Sequence, residues 1–383
     1  RSLAVALLSA WAHSSAAGPA PALPTISGDV AKQVVNTPWW PPGTEKQAES
    51  VGIVSYGFVF MTGMMEVNDT EEATTRQELY DVRDIAQAAG ARMEDLVDCL
   101  VNAPAGAAAS VRKSFEAHLP LAARPTLTVV EMPGEYTWAP TSVTCVAAQP
   151  AAGEGRLRRL SRAGAYGVAA RGLLHVRAAG RSPGAGARQE ADEALAAIGG
   201  LVQDAGGAGL SGLLDCTAFL RRASDASAVR AALAASRAVP ALTAVQVGLE
   251  DARQSVLLRC VAALPEEPGK GPAVHVVRTD AGLAVASDRF IYASGQLGNA
   301  TNGTDAFKGL ERLLKASGAT LDDVVNCQFF VKETGKVFDL FAGFKRVFND
   351  GHPPPPSRTE FTAVSECAGC AVVAKCVAAR RPR

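Results

Sequence analysis

Eight cysteines carry much of this chain's capacity for chemistry, because a thiolate can act as nucleophile, metal ligand or redox partner. Their settings point elsewhere. Cys99, Cys216 and Cys327 stand in LVDCLV, LLDCTAFL and VVNCQFFV, while Cys145, Cys260 and Cys376 stand in TCVAA, RCVAA and KCVAA. In such apolar, strand-like runs a free cysteine packs as a small hydrophobe, so these six are expected to be structural and unpaired. Cys367 and Cys370 form CAGC. That motif could be redox-active or half of a zinc site, but the sequence has no second CxxC or spaced His pair to complete a tetrahedron, and the expectation is a turn with two thiols. The five histidines, His13, His118, His175, His275 and His352, are scattered without ligand spacing. Metal-assisted or ordinary nucleophilic catalysis therefore finds no support, and neither metal nor cofactor is expected.

The cysteine settings recur, and the recurrence organises the chain. The first set is spaced 117 and 111 residues apart, the second 115 and 116. A period near 115 is the size of a domain, far beyond solenoid units of about 20–50 residues, so it reads as tandem duplication of whole domains. Helical periodicity gives the same answer. Leu79, Val82, Ile85 and Ala86 share one helix face. Leu195, Ile198, Leu201 and Val202 repeat the spacing, as do Phe307, Leu310, Leu313 and Leu314. Each pattern runs into a glycine suited to a left-handed cap, Gly90, Gly207 and Gly318, nine residues before its cysteine. A strand-like run ending at Gly63, Gly180 or Gly295 precedes each helix, and a second helical stretch follows: Ser110 to His118, Ala226 to Ser236 and Val337 to Phe348. The order β, β, α, β, α, β, β describes an α+β domain with two helices on one face of a mixed sheet.

Composition sets the limits. Thirty-eight Lys and Arg balance 38 Asp and Glu, and 48% of residues are hydrophobic. No basic field exists to hold a phosphate backbone, so no nucleic acid partner is expected. Residues 1–28 have no acidic residue and an apolar stretch from Leu3 to Trp11. They suit a signal or transit segment or a disordered tail, and nine residues are too few to span a bilayer. No membrane association is expected, and the unpaired cysteines lean toward a reducing interior, the cytoplasm or an organelle such as mitochondrion or plastid. Breaks at QPAAGEG and PEEPGKG divide the remainder into domains 29–149, 156–264 and 272–380. Sequons at Asn68, Asn299 and Asn302 fall in turn-like loops.

The third unit carries SGQ after an early strand, a helix ending in ASGA, a hydrophobic strand after DDVV, and PSR before the next strand. Over nearly its whole length it resembles the Rid/YjgF family, the reactive-intermediate (enamine/imine) deaminases, whose domain is chorismate-mutase-like. Unit one is similar at Thr62-Gly63 and AARPT, and unit two matches by spacing more than identity. Family members are typically homotrimers with clefts between adjacent subunits. Three tandem units therefore imply an intramolecular pseudo-trimer, monomeric in solution.

The resemblance also implies roles. The family's carboxylate-binding arginine matches Arg358 and Arg124, counted 63 and 61 residues after Gly295 and Gly63. The same count in unit two lands on Leu242, with Arg237 five residues off register. Ser294, Gly295, Gln296, Thr62 and Gly63 would line the clefts, whereas unit two reads Ala179-Gly180-Arg181. The family's water-activating glutamate falls on Ser142, Leu257 and Val373. Glu360 shares a strand face with Arg358 and would pair with it. Three functions are compatible with this pattern: hydrolysis of 2-imino or 2-enamino acids to 2-oxo acids and ammonia in at most two clefts; non-catalytic binding of small carboxylates or a protein partner; and, last, an endoribonuclease-type activity suggested only by Arg156, Arg158, Arg159 and Arg162.

Overall fold

The computed structural model describes residues 32–37, 50–64, 70–119, 121–132, 141–150, 157–265, 273–349, 355–367 and 369–381. The leader 1–28, the sequon at Asn68, Arg156 and most of both linkers lie outside them. Three seven-stranded mixed sheets follow one another along the chain. Each unit has a lead strand (Phe58–Met61, Leu173–Ala179, Phe290–Ala293) and a central strand (Leu96–Ala103, Leu213–Leu220, Val324–Val331). An edge strand parallel to the central one follows (Thr126–Glu131, Ala241–Gln246, Ser357–Thr362), then a closing strand antiparallel to it (Ser142–Ala148, Val256–Ala263, Val372–Ala379). Two helices cover one face of each sheet: α1 Glu71–Ala88 and α2 Ala108–Ala117, α3 Ala187–Asp204 and α4 Ala226–Ala235, α5 Thr304–Ala316 and α6 Val337–Asn349.

The helix faces read from the sequence are the buried ones. Leu79, Val82, Ile85 and Ala86 pack on the first sheet, and their counterparts pack on the others. Gly90 and Gly318 adopt positive φ after their helices, as expected, but in unit two the left-handed residue is Gly206 and not Gly207. Each unit opens with a strand more than expected, Gln33–Val34, Arg158–Arg162 and His275–Thr279. Arg158–Arg162 pairs with Ala165–Ala170, and its arginines are satisfied by the carbonyls of Ala205, Glu94 and Arg124 and by Asp204.

Every residue of the three central strands is buried, because both faces are covered. Side chains alternate across a strand: Cys99, Val101 and Ala103 face the helices, while Asp98, Leu100 and Asn102 face inward toward the other units. There a shared apolar core gathers Phe58, Phe60 and Ile53 of unit one, Leu173, Leu214 and Val168 of unit two, and Phe290, Tyr292 and Val325 of unit three. Phe290 stacks edge-on against Phe58 and Phe60 at 5.9 and 5.5 Å. Strands are also lent across boundaries. Gly248–Leu249 of unit two extends the first sheet beside Thr126–Glu131, and Val364–Ser365 of unit three extends the second. The equivalent residues 133 and 134 lie outside the described residues.

The expectation of unpaired cysteines is overturned. Cys99–Cys145, Cys216–Cys260 and Cys327–Cys376 are disulfides, as is Cys367–Cys370. The physical reason is register: in each unit the first cysteine lies directly opposite the second across the central and closing strands, with Cα atoms 4.1–4.2 Å apart. The argument for a reducing interior falls away with the free thiols.

Candidate functional site: the clefts between units

Each edge strand of one unit faces the lead strand of the next, which creates three boundaries. Thr62 donates its hydroxyl, and Gly63 its N–H at 3.0 Å, to the carbonyl of Arg358. Residues predicted separately in units one and three thus meet. Gly63 lies so close to unit three that a side chain would strike Thr359 at 2.6 Å, and one at Gly295 would strike Val373 at 2.8 Å and Thr243 at 3.0 Å. Glycine leaves room at both places for the side chains packed against it, and at Gly63 for the backbone hydrogen bond to Arg358. Ser294, Gly295 and Gln296 therefore face Leu242 and Thr243 of unit two, within a cleft of about 880 Å³. Gln296 is internally committed, donating to the Ser294 carbonyl at 2.8 Å.

Strand register corrects the assignment of Arg124. Cys327 is paired with Arg358, Cys216 with Leu242, and Cys99 with Leu127. The segments PTLT, PALT and PSRT are thus equivalent at Leu127, Leu242 and Arg358. Arg124 precedes its edge strand by two residues and pairs with Glu116 at 2.9 Å. Leu127 lies 64 residues after Gly63, against 63 from Gly295 to Arg358, whereas Arg124 lies at 61 and falls three short of the counterpart.

Arg358 itself is buried. Its guanidinium lies 3.0 Å from Glu360, as foreseen, and 4.1 and 5.1 Å from the ring centroids of Phe341 and Phe344 in α6. Cation–π contact and an internal counter-charge both hold it in place.

The same register exposes an arginine that sequence reading missed. In unit one Phe60 pairs with Val146 and Met64 with Val143. In unit three Tyr292 pairs with Val377 and Gln296 with Ala374. Four residues oppose three in both, so Thr62-Gly63 and Ser294-Gly295 form a one-residue bulge. In unit two the lead strand pairs without interruption, and Arg177 alone stands where those bulges sit. Gly180 is not their counterpart, since it lies against Glu190 of α3. Aligning the repeats on their cysteines would have found Arg177; aligning on the glycines hid it.

Arg177 enters a cleft of about 570 Å³ between units one and two, with Arg112, Phe115, Glu116, Arg124 and Leu127 on one wall and Arg159, Leu160 and Tyr166 on the other. Arg112 pairs with Glu250 at 2.7 Å and lies 3.6 Å from Glu116. Tyr166 donates to the Arg124 carbonyl at 2.9 Å. Arg177 makes no ion pair or hydrogen bond of its own with another side chain among the described residues. Burial, then the neighbouring Arg112 charge, pulls its pKa down to about 10.

A second polar cluster lies at the centre of the molecule. The residue before the first cysteine is Asp98, Asp215 or Asn326, and the residue before the second is Thr144, Arg259 or Lys375. Arg259 pairs with Asp98 of the preceding unit, and Lys375 with Asp215 at 2.6 Å. His175 lies 3.5 Å from Asp98. Burial raises Asp98, but Arg259 and His175 outweigh it and hold the carboxyl below its usual range. Around a central void of about 40 Å³, too small for a metabolite, these pairs join the units.

No family model matches the chain, and no curated protein matches it. Among solved structures, a chorismatase is similar at a TM-score of 0.51 and 12% identity, covering 74% of this chain and 93% of that one. The likeness shows a common fold. A member of the YjgF family from Neisseria meningitidis aligns over 33% of this chain and all of its own, at 16% identity and a TM-score of 0.28. A YjgF/YER057c/UK114 family member from Mycobacterium tuberculosis covers 25% of this chain and 84% of its own, at 20% identity and a TM-score of 0.24.

Proposed function

We propose that the chain is a covalent pseudo-trimer of Rid-like units that binds a small carboxylate in the cleft between units one and two, without hydrolysing imines. The observation that carries this reading is Arg177, a guanidinium facing a cavity with no direct ion-pair partner among the described residues, Glu116 and Glu250 being engaged by Arg112 and Arg124. A planar fork of donors suits a carboxylate, and the flanking Arg124 and Arg112 add to the positive potential. Hydrolysis would need a base within reach of a water. The positions corresponding to the family's glutamate hold Ser142, Leu257 and Val373, and Glu360 is engaged by Arg358.

The deaminase alternative is favoured by a different observation, the meeting of Arg358 with Thr62 and Gly63. One experiment separates the two. The full chain is offered 2-iminopropionate generated in situ, with ammonia release followed, and 2-oxobutyrate, with binding followed by calorimetry. The expected outcome is binding of 2-oxobutyrate without ammonia release, weakened about 10- to 100-fold in Arg177→Gln as a charged hydrogen-bond pair is lost. Ammonia release that disappears in Arg358→Ala would reverse the assignment.

A further inference from the structure

The cleft between units one and two holds more positive charge than its own carboxylates offset. Four arginines, 112, 124, 159 and 177, surround it, against Glu116 and, beside Arg112, Glu250. Nη2 of Arg112 and Nε of Arg124 are buried without a hydrogen-bond partner. Two positive charges are left over. The other two boundaries lack this surplus among the described residues: between units two and three Arg230, Arg278 and Arg312 are matched in number by Asp280, Asp305 and Glu366, and between units three and one Arg358 pairs with Glu360. Beneath the charges the cavity is apolar, formed by Phe115, Leu127, Leu157 and Leu160. Its volume falls in the range of about 300–1,000 Å³ that accommodates an organic ligand rather than a bare ion.

Resting on the carboxylate-binding reading above, we infer that the ligand of this cleft is a dicarboxylate with an apolar body, one carboxylate meeting Arg177 of unit two and the other meeting Arg112 and Arg124 of unit one. A monocarboxylate on Arg177 would leave the buried Nη2 of Arg112 and Nε of Arg124 on the other side of the cleft without an acceptor, which is costly. A dicarboxylate supplies a counter-charge to Arg177 and acceptors to the open donors of Arg112 and Arg124, bridging two units while its body covers Leu127 and Leu160.

The test is calorimetry on the full chain near neutral pH with three probes: phenylsuccinate, 3-phenylpropionate and inorganic phosphate. Phenylsuccinate is expected to bind about tenfold or more tighter than either of the others, the difference one charged hydrogen-bond pair makes. In Arg177→Gln its advantage over 3-phenylpropionate should shrink to about onefold, because only one carboxylate site is left. Leu127→Trp, on the opposite unit, should abolish binding of both organic acids by filling the cleft, and so tests the location if the arginine variant does not fold. Equal affinity for 3-phenylpropionate would overturn the dicarboxylate assignment while leaving carboxylate binding in place, and phosphate binding as tightly as phenylsuccinate would overturn the need for an apolar body. Binding of neither organic acid would overturn both this inference and the reading beneath it.

Discussion

At the scale of single residues, the central acids show three units placing different side chains in one geometry. Asp98, Asp215 and Asn326 occupy one position, and so do Thr144, Arg259 and Lys375. Two of the three boundaries retain an ion pair, Arg259 with Asp98 and Lys375 with Asp215. At the third boundary both positions are neutral, Asn326 donating to Ser357 at 2.9 Å and Thr144 to the Met61 carbonyl at 3.0 Å. Removing one member of a buried pair leaves its partner uncompensated, so Asp98→Asn is expected to cost about 3–5 kcal/mol in urea unfolding near neutral pH. The pH dependence follows in sign. Asp98 is held below its ordinary value in the folded protein, so its contribution is present above the unfolded carboxylate pKa of about 3.9 and is lost as pH falls through the lower folded value. Stability of the variant should therefore decline less steeply than that of the parent across the acid limb, and an unchanged slope would remove Asp98 from the account.

At the scale of elements, the central and closing strands form the most repeated structure in the chain, three buried antiparallel pairs each joined by a disulfide at the same register. Each bond closes a loop of 44–49 residues, a constraint on the unfolded chain worth about 2–4 kcal/mol. The measurement is direct. Thiol titration in denaturant should find no free thiol, and eight after reduction, while the Cys216→Ser, Cys260→Ser double variant should unfold at lower denaturant. Much of this layer was legible beforehand: the helix faces, the mixed sheet, and the cysteine period itself. The pairing was not, because apolar strand-like surroundings describe a buried free cysteine and a buried cross-strand bond equally well. A bulge was likewise invisible. One extra residue at Thr62-Gly63 and Ser294-Gly295, absent around Arg177, puts unit two out of step with the other two units when they are aligned on their glycines, and so hides Arg177; Arg124 is a separate case, lying three residues before Leu127, the counterpart of Arg358.

At the scale of the molecule, the three units close on one another. Lys32, close to the start of the described chain, donates to the Asp322 carbonyl at 3.2 Å; Ser50 reaches the Pro355 carbonyl, and Tyr56 that of Arg380. With the inner faces of all three sheets buried together in one apolar core, a single unit would expose a large hydrophobic surface. Linkage supplies the partners at high effective concentration. Sedimentation is accordingly expected to give one species near the chain mass of 39.6 kDa, and a stable trimer of chains would contradict the pseudo-trimer reading. The sequence by itself determined the recurrence of cysteines and helix faces, the mixed α+β class and the face each helix buries, since these depend on periodicity along the chain. Only the tertiary structure decided which thiols join, which acids meet which cations, and which cleft holds the surplus guanidinium. Those depend on the register between strands and on contacts between units more than a hundred residues apart, where one inserted residue changes the partner without changing the pattern.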